Sequence, residues 1–254
     1  MELNKNKYSI QDKQYKLPYH YFPEVVDGQY KHSKYISWGH EYISYIDKII
    51  LELKEIEFES LLDLGCGDGK FLYECKKKFS DKKLIGVDIS EKALNFAKIF
   101  NEDIEFININ FFKTLKMSFK NFVDVVTLVE VLEHISPDYI DDFIKNIHYV
   151  LKKNGVLILT VPSIKLKLNK KHYQHFDEFK LIKLFERGFE VVKIQYLNKI
   201  NLFDKFIRRC FANRFFILNN KKLLNKLFNF YNKKNLIANK ANGKRIFLIL
   251  KKKS

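Results

Sequence analysis

The chain has few cysteines, and Cys66, Cys75 and Cys210 show neither paired spacing nor metal-ligand spacing. That excludes a disulfide-stapled secreted domain and a zinc module. No run approaches the ~18 apolar residues of a membrane-spanning helix. The first residues, Met-Glu-Leu-Asn-Lys-Asn-Lys, lack the apolar core of a signal peptide. A soluble, cytoplasmic protein is expected. Acidic residues are scarce in one region only: Asn198 to Ser254 holds 16 Lys+Arg and a single acid, Asp204. Met1 to Leu197 carries 30 basic and 29 acidic residues, so the net charge of +16 lies almost wholly on the C-terminal quarter. The length, 254 residues, suits one large α/β domain with an appendage.

The most informative stretch is Leu61-Leu-Asp-Leu-Gly-Cys-Gly-Asp-Gly69. An apolar run, Ser60 to Leu64, ends in a glycine-rich turn that opens a helical pattern from Lys70 to about Phe79. Strand, tight turn and helix in that order bring backbone N–H groups against a nucleoside ligand. Glycine is needed there because a Cβ would hold the ligand off and some turn positions require positive φ. A second buried strand, Lys83 to Val87, ends in Asp88, a carboxylate placed to accept from both ribose hydroxyls. The dinucleotide fingerprint G-x-G-x-x-G is absent, because its third glycine would fall on Lys70.

The D-x-G-x-G-x-G spacing from Asp63 to Gly69, joined to Asp88, resembles the first motif of the class I S-adenosylmethionine-dependent methyltransferases. The resemblance implies that Asp63, Gly65, Cys66 and Gly67 wrap the methionine part of the cofactor. Asp88 and Ile89 would hold the ribose, and Val129 would line the pocket. Asn110 stands where relatives often carry an Asp that meets the adenine amino group, a bond its carbonyl oxygen can also accept.

The remaining pattern alternates. Helices are expected over Gly39 to Glu55, over Glu91 to Phe100 behind a Ser90 cap, over Pro137 to Leu151 behind Ser136, and over Asp177 to Glu186. Strands are expected over Ile104 to Asn108, Phe122 to Val129, Val156 to Val161 and Phe189 to Leu197, with Asn154-Gly155 closing the helix before the third of these. This is an α/β chain with a mostly parallel, doubly wound sheet covered on both faces. The resemblance adds a seventh, antiparallel strand, supplied by Arg245 to Leu250. The expected division is an N-terminal strap or lid (1–38), a methyltransferase core (39–197), a basic helical insertion (198–243), and a last strand with a basic tail (244–254).

A second constellation, Glu130-Val-Leu-Glu133-His134, follows the fourth strand at the rim where such sheets bind ligands. In the ubiquinone-biosynthesis O-methyltransferases, which this stretch resembles, it lines the pocket, and His134 would take a proton from the attacking hydroxyl. The methyltransferases that modify the 3′-terminal ribose of small RNAs also resemble it. By that likeness Glu130, Glu133, His134 and one of His172 or His175 would hold Mn²⁺ or Mg²⁺, which clamps two hydroxyls. His175, and His20 in the aromatic N-terminal stretch Tyr19-His-Tyr-Phe22, are further candidate bases.

The expected acceptor is a small or glycan-type molecule, anionic in character, of surface polysaccharide biosynthesis. An RNA 2′-O-methyltransferase and a methyltransferase-fold binding module without turnover are the alternatives. The basic segment, interleaved with Phe and Leu, would meet RNA, an anionic membrane or a phosphorylated substrate, or be a solvated face.

Overall fold

The computed structural model describes residues 12–13, 15–26, 28–32, 38–111, 119–211, 218 and 220–253. One eight-stranded sheet runs through it in the order β5-β4-β3-β6-β7-β10-β8-β9. Its strands are β3 (Ser60–Leu64), β4 (Lys83–Asp88), β5 (Glu105–Asn108), β6 (Val123–Val129), β7 (Leu151–Pro162), β8 (Phe189–Lys199), β9 (Ile237–Ala238) and β10 (Gly243–Lys252). The five from β5 to β7 are parallel; β10 pairs antiparallel with both β7 and β8. The seventh strand is therefore present and antiparallel as expected. An eighth, β9, pairs Tyr196 and Leu197 with Ala238 and Ile237. So short a strand carries no periodicity for a sequence to display.

Among the described residues, five helices cover the sheet up to β8: α1 (Gly39–Leu53), α2 (Lys70–Lys76), α3 (Glu91–Phe100), α4 (Ile140–Val150) and α5 (Glu178–Phe185). Two more, α6 (Leu202–Phe211) and α7 (Lys221–Asn235), lie between β8 and β10 within the basic segment. β3 is buried along its whole length, with Leu61 in the core on one face and Leu62 and Leu64 in the core on the other. Side chains alternate across a strand, so a run apolar at every position marks a sheet covered on both sides. α1 presents Ile43, Ile46, Ile50 and Leu53 to the first core at helical spacing. Ser90 caps α3 by accepting from Ala93 N at 3.3 Å, and Asp177 caps α5 by accepting from Lys180 N at 2.8 Å.

Two local expectations are corrected. Ser136 does not cap: its hydroxyl donates to Asp138, and Pro137–Tyr139 is a 3₁₀ turn ahead of α4. Asn154-Gly155 does not end the helix, which stops at Val150; β7 begins at Leu151. Between the Val123–Leu151 and Val125–Val156 pairs the register jumps, so Lys152 to Gly155 bulge from β7, with Asn154 at φ 63°. The N-terminal stretch, expected as a strap or lid, contains a hairpin of β1 (Pro23–Val26) and β2 (Gln29–His32) that packs on α1 and α7.

The strand order reverses between β3 and β6, the switch point at which open α/β sheets bind ligands beyond their carboxyl ends. The glycine turn follows β3, Asp88 ends β4 and Glu130 follows β6 at that end.

Candidate functional site

The glycine turn is fastened to its neighbouring strand. Gly65 N and Cys66 N both donate to the Val87 carbonyl, at 2.7 and 3.0 Å. Gly65 and Gly67 lie at φ 75° and 57°, a left-handed backbone that strains any other residue, and neighbouring side chains crowd both. A Cβ on Gly65 would stand 2.6 Å from Val131 Cγ2, and one on Gly67 2.5 Å from the Tyr15 hydroxyl. Asp88 is tied over this turn: Oδ2 accepts from Gly67 N at 2.9 Å and Oδ1 from Ser90 N at 2.8 Å. Asn108 holds the end of β4 from the side, donating to the Asp88 and Ile89 carbonyls at 3.1 and 3.0 Å.

Beneath the turn, Asp63 is buried and accepts from Thr127 Oγ1 at 2.7 Å. Burial, with Asp88 nearby, pushes its carboxyl up to about 7. A buried carboxyl with one neutral donor is poised to be ionised by an arriving cation. The Cys66 thiol is pushed well up by burial and three aspartates, which makes it a packing group rather than a nucleophile.

The N-terminal aromatics close on the same turn. His20 donates to Asp68 through its backbone N–H at 3.3 Å, and its Nδ1 lies 2.9 Å from Asp68 Oδ1. Lys70, where a dinucleotide fold has glycine, is buried; its ammonium bonds Glu74 at 2.7 Å and lies 5.0 Å from the Tyr21 ring and 4.9 Å from Tyr73. Tyr21 also accepts from Asn101 Nδ2 at 2.9 Å and stacks on Phe100.

The rim after β6 begins with Glu130 at φ 58°, a left-handed conformation costing a non-glycine residue of order 1 kcal/mol. Its N–H donates to the Thr160 carbonyl at 3.1 Å, and the turn throws Val131 against Gly65. The rim and the glycine turn therefore touch. Leu132–His134 form a 3₁₀ turn that buries Glu133. Burial, and Glu130 beside it, push the Glu133 carboxyl well up, and its Oε2 has no hydrogen-bond partner among the described residues.

Hydrogen bonds fix the histidine tautomers. The Leu166 carbonyl can only accept, so His175 Nδ1, 3.0 Å away, carries a proton and its Nε2 is an acceptor. With both rings neutral, His172 Nδ1, 2.9 Å from that Nε2, is the donor, and the lone pair of His172 is on its own Nε2. By the same logic His134 donates from Nδ1 to the Lys171 carbonyl at 3.2 Å, and its Nε2 lies 3.9 Å from Glu133 Oε1. The His134 and His172 rings meet edge to face at 4.7 Å.

Of the candidate metal ligands, Glu130, Glu133, His134 and one of His172 or His175, the donor atoms of Glu133, His134 and His172 lie within 4.8 Å of one another. Glu130 and His175 are not in that group. Glu130 turns its Oε2 to Arg245 Nε at 3.1 Å, and His175 stands behind His172 as its hydrogen-bond partner. His20 belongs to the glycine turn rather than to the other histidines. Val129 ends β6 packed on the first core, and Asn110 lies two residues beyond β5.

Arg245, on β10, ties this rim to the first turn of α1. Its Nη1 donates to Glu41 Oε2 at 3.0 Å, and its guanidinium lies 4.6 Å from the Tyr45 ring centroid. Glu41 also pairs with Lys244 Nζ at 2.6 Å and with Arg208, and Lys244 reaches Asp204 at 2.7 Å. These cations hold the Glu41 carboxyl far below the carboxylate range. They also occupy the carboxylates of a second donor group, His40, Glu41 and Asp204, whose histidine is held neutral by burial, down to about 3. No motif pointed to this network, to Tyr15 or to Asn108; only Asp68 lay inside the stretch already singled out.

A glycine cradle and two carboxyls at the switch point of a mostly parallel sheet define a nucleoside-cofactor protein of the α/β type. Residues 38–194 match the family model for the methyltransferase domain, and the chain belongs to that family. The class I fold is shared with the N-methyltransferase NodS of Bradyrhizobium japonicum, solved with S-adenosyl-L-homocysteine. That match has a TM-score of 0.62 and 12% identity, and covers 98% of this chain and 100% of the other. Among curated relatives, carboxy-S-adenosyl-L-methionine synthase of Campylobacter fetus is 31% identical over 48% of this chain and 56% of its own. Ubiquinone biosynthesis O-methyltransferase of Pelagibacter ubique is 32% identical over 45% of this chain and 46% of its own. The chain thus spans about half the length of the curated relatives it matches. S-adenosylmethionine is the cofactor this family implies, and the residues fit it: a glycine turn at positive φ, the Asp88 carboxylate at the end of β4 tied to that turn, and a buried acid beneath it to meet a cation.

Proposed function

We propose that this chain is an S-adenosylmethionine-dependent methyltransferase acting on a hydroxyl oxygen of a small acceptor, with His172 as the base. The observation that supports it is the chain from His172 through His175 to the Leu166 carbonyl, which favours a basic His172 Nε2 on the rim whose Val131 meets the glycine turn. When bound, the cofactor supplies a methyl group on a cationic sulfur, open to in-line displacement. Gly65, Gly67 and Asp88 would hold it, and Asp63 would ionise beneath its positive charge. The strap residues Tyr15 and His20 would exclude water from the turn and favour close alignment of donor and acceptor. His172 Nε2 would take the acceptor's proton as the new C–O bond forms. His175 would stabilise the imidazolium by accepting the Nδ1 hydrogen bond more strongly.

The acceptor is a proposal drawn from this rim and from the relatives' names. Neither relative named above is named for polysaccharide, and an RNA enzyme among the matches, tRNA N(3)-methylcytidine methyltransferase of Schizosaccharomyces pombe, is named for a base nitrogen, so neither a polysaccharide acceptor nor RNA 2′-O-methylation gains support from these names. A hydroxylated small molecule fits both the rim and the O-methyltransferase relative. The close approach of Glu133, His134 and His172 donors favours a second reading, in which those three would hold Mn²⁺ or Mg²⁺.

One assay separates the readings: methyl transfer to a panel of hydroxylated small molecules, with EDTA and with added Mn²⁺, the cofactor followed by mass spectrometry. Methylated acceptor unaffected by EDTA supports the base mechanism, and loss with EDTA rescued by metal supports the second reading. A cofactor that itself gains a carboxylate would overturn methyl transfer. Tight cofactor binding with no product at all would leave a binding module.

A further inference from the structure

The helices α6 and α7 each carry two apolar stripes, and folding accounts for only one. The inner stripe, Ile207 on α6 with Leu224, Phe228 and Tyr231 on α7, is buried in the first core. The outer stripe faces water: Leu202 is 81% exposed, Phe206 57%, Phe230 48% and Leu223 43%. Phe203, half-buried, joins the two outer stripes into one ridge, its ring 4.8 Å from Phe230 and 6.4 Å from Phe206. Side chains three and four residues apart share a helix face, so Lys205 and Arg209 stand within the α6 stripe, and Lys226 and Lys233 within that of α7. All four are exposed.

No described carboxylate offsets these cations on the outer face. Asp204, the one acid between Asn198 and Ser254, is buried and paired with Lys244 and Arg208. A solvated charged face would need no exposed leucines and phenylalanines. A single-stranded nucleic acid would reward the aromatics and cations but gives nothing to Leu202, the most exposed of the set. A bilayer rewards both, taking up apolar side chains just below a layer of anionic headgroups that attracts lysine and arginine. Among the described residues no helix is long and apolar enough to cross a membrane.

We infer that the outer face of α6 and α7 is a docking surface for an anionic lipid bilayer, on which the helix pair lies in the plane of the headgroups. The surface is independent of the reaction proposed above.

The test is sedimentation of the full chain with vesicles of phosphatidylcholine alone and with vesicles in which about a third of the lipid is phosphatidylglycerol. The chain should sediment with the anionic vesicles and not with the neutral ones, and should be released as salt is raised. The double variant Leu202→Ser/Phe206→Ser should bind about tenfold more weakly or less, and so should Lys205→Glu/Lys226→Glu. Phe206→Trp gives a second readout that needs no loss of function: its emission should shift to the blue when anionic vesicles are added. Binding that is indifferent to lipid charge, serine variants that bind as the parent does, or a Trp emission that does not move would each overturn the inference. So would single-stranded RNA binding, lost in the serine variant, by a chain that ignores vesicles.

Discussion

The two flanks of the sheet's switch point are built in opposite ways. On the β3–β4 side the site is made from neighbours in sequence: Asp63, the glycines and Asp88 lie in one strand-turn-helix-strand unit, fastened by backbone bonds to Val87 and Asp88. On the β6–β7–β10 side it is made from distant residues, with Glu130 positioned by Arg245 and Arg245 in turn by Glu41. A short-range site can be held by hydrogen bonds to a rigid turn. A long-range one needs a buried charge that several elements share, and it fails as a unit. The comparison teaches that cofactor binding and acceptor chemistry should be separable by mutation, with stability coupled mainly to the second.

The sharpest way to break that contrast is Glu41→Gln. It leaves Lys244 and Arg245 facing a neutral amide in a buried site, and should cost about 3–5 kcal/mol, read as a lower Tm. A Tm within a degree or two of the parent would mean the network is dispensable. Next in size, His172→Ala should slow methyl transfer by about a hundredfold or more with cofactor affinity unchanged. His175→Phe should act in the same direction, and more weakly; equal loss of cofactor affinity would show that the two sides are not separable. On the other flank, Asp88→Ala should weaken cofactor binding by roughly 1.5–3 kcal/mol in a titration while Tm moves little.

The smallest effect is a pH dependence. Asp63 titrates at about 7 in the free chain, so a cationic cofactor should bind about tenfold more tightly per pH unit up to that value and level off above it. Asp63→Asn should flatten the curve. The sign for folding is opposite: a carboxyl raised above its unfolded value binds its proton more tightly when folded. Its contribution therefore falls as pH rises from the unfolded carboxyl range to about 7.

Legibility in the sequence followed the same divide. The strand ending at Leu64, the helix from Lys70, the strand to Asp88 and the Ser90 cap could be read because each is signalled by residues within a turn or two. The rim residues Glu133, His134 and His172 were also singled out, yet which of them meet depends on the Tyr173 N–H reaching the Glu133 carbonyl across the fold. Asn154-Gly155 carries the chemistry of a helix stop, and it serves instead as a bulge inside β7, because pairing with β6 outweighed local preference. Arg245 gave no signal at all. On a strand it reads as one more basic residue, and its meaning is set by a partner, Glu41, at the other end of the chain.

The place of β10 bears on how the molecule is made. The parallel strands β5 to β7 can pair with one another as they leave the ribosome, each finding a neighbour already synthesised. β8 cannot, because its partner toward the sheet's centre is β10, which follows it by the whole of α6, α7 and β9. Until β10 arrives, β7 and β8 present open edges, and Glu41 is without its partners Lys244 and Arg245. Synthesis thus has a late, all-or-none closing step, and slow emergence of those residues would expose two unpaired strands to chaperones and to other copies of the chain.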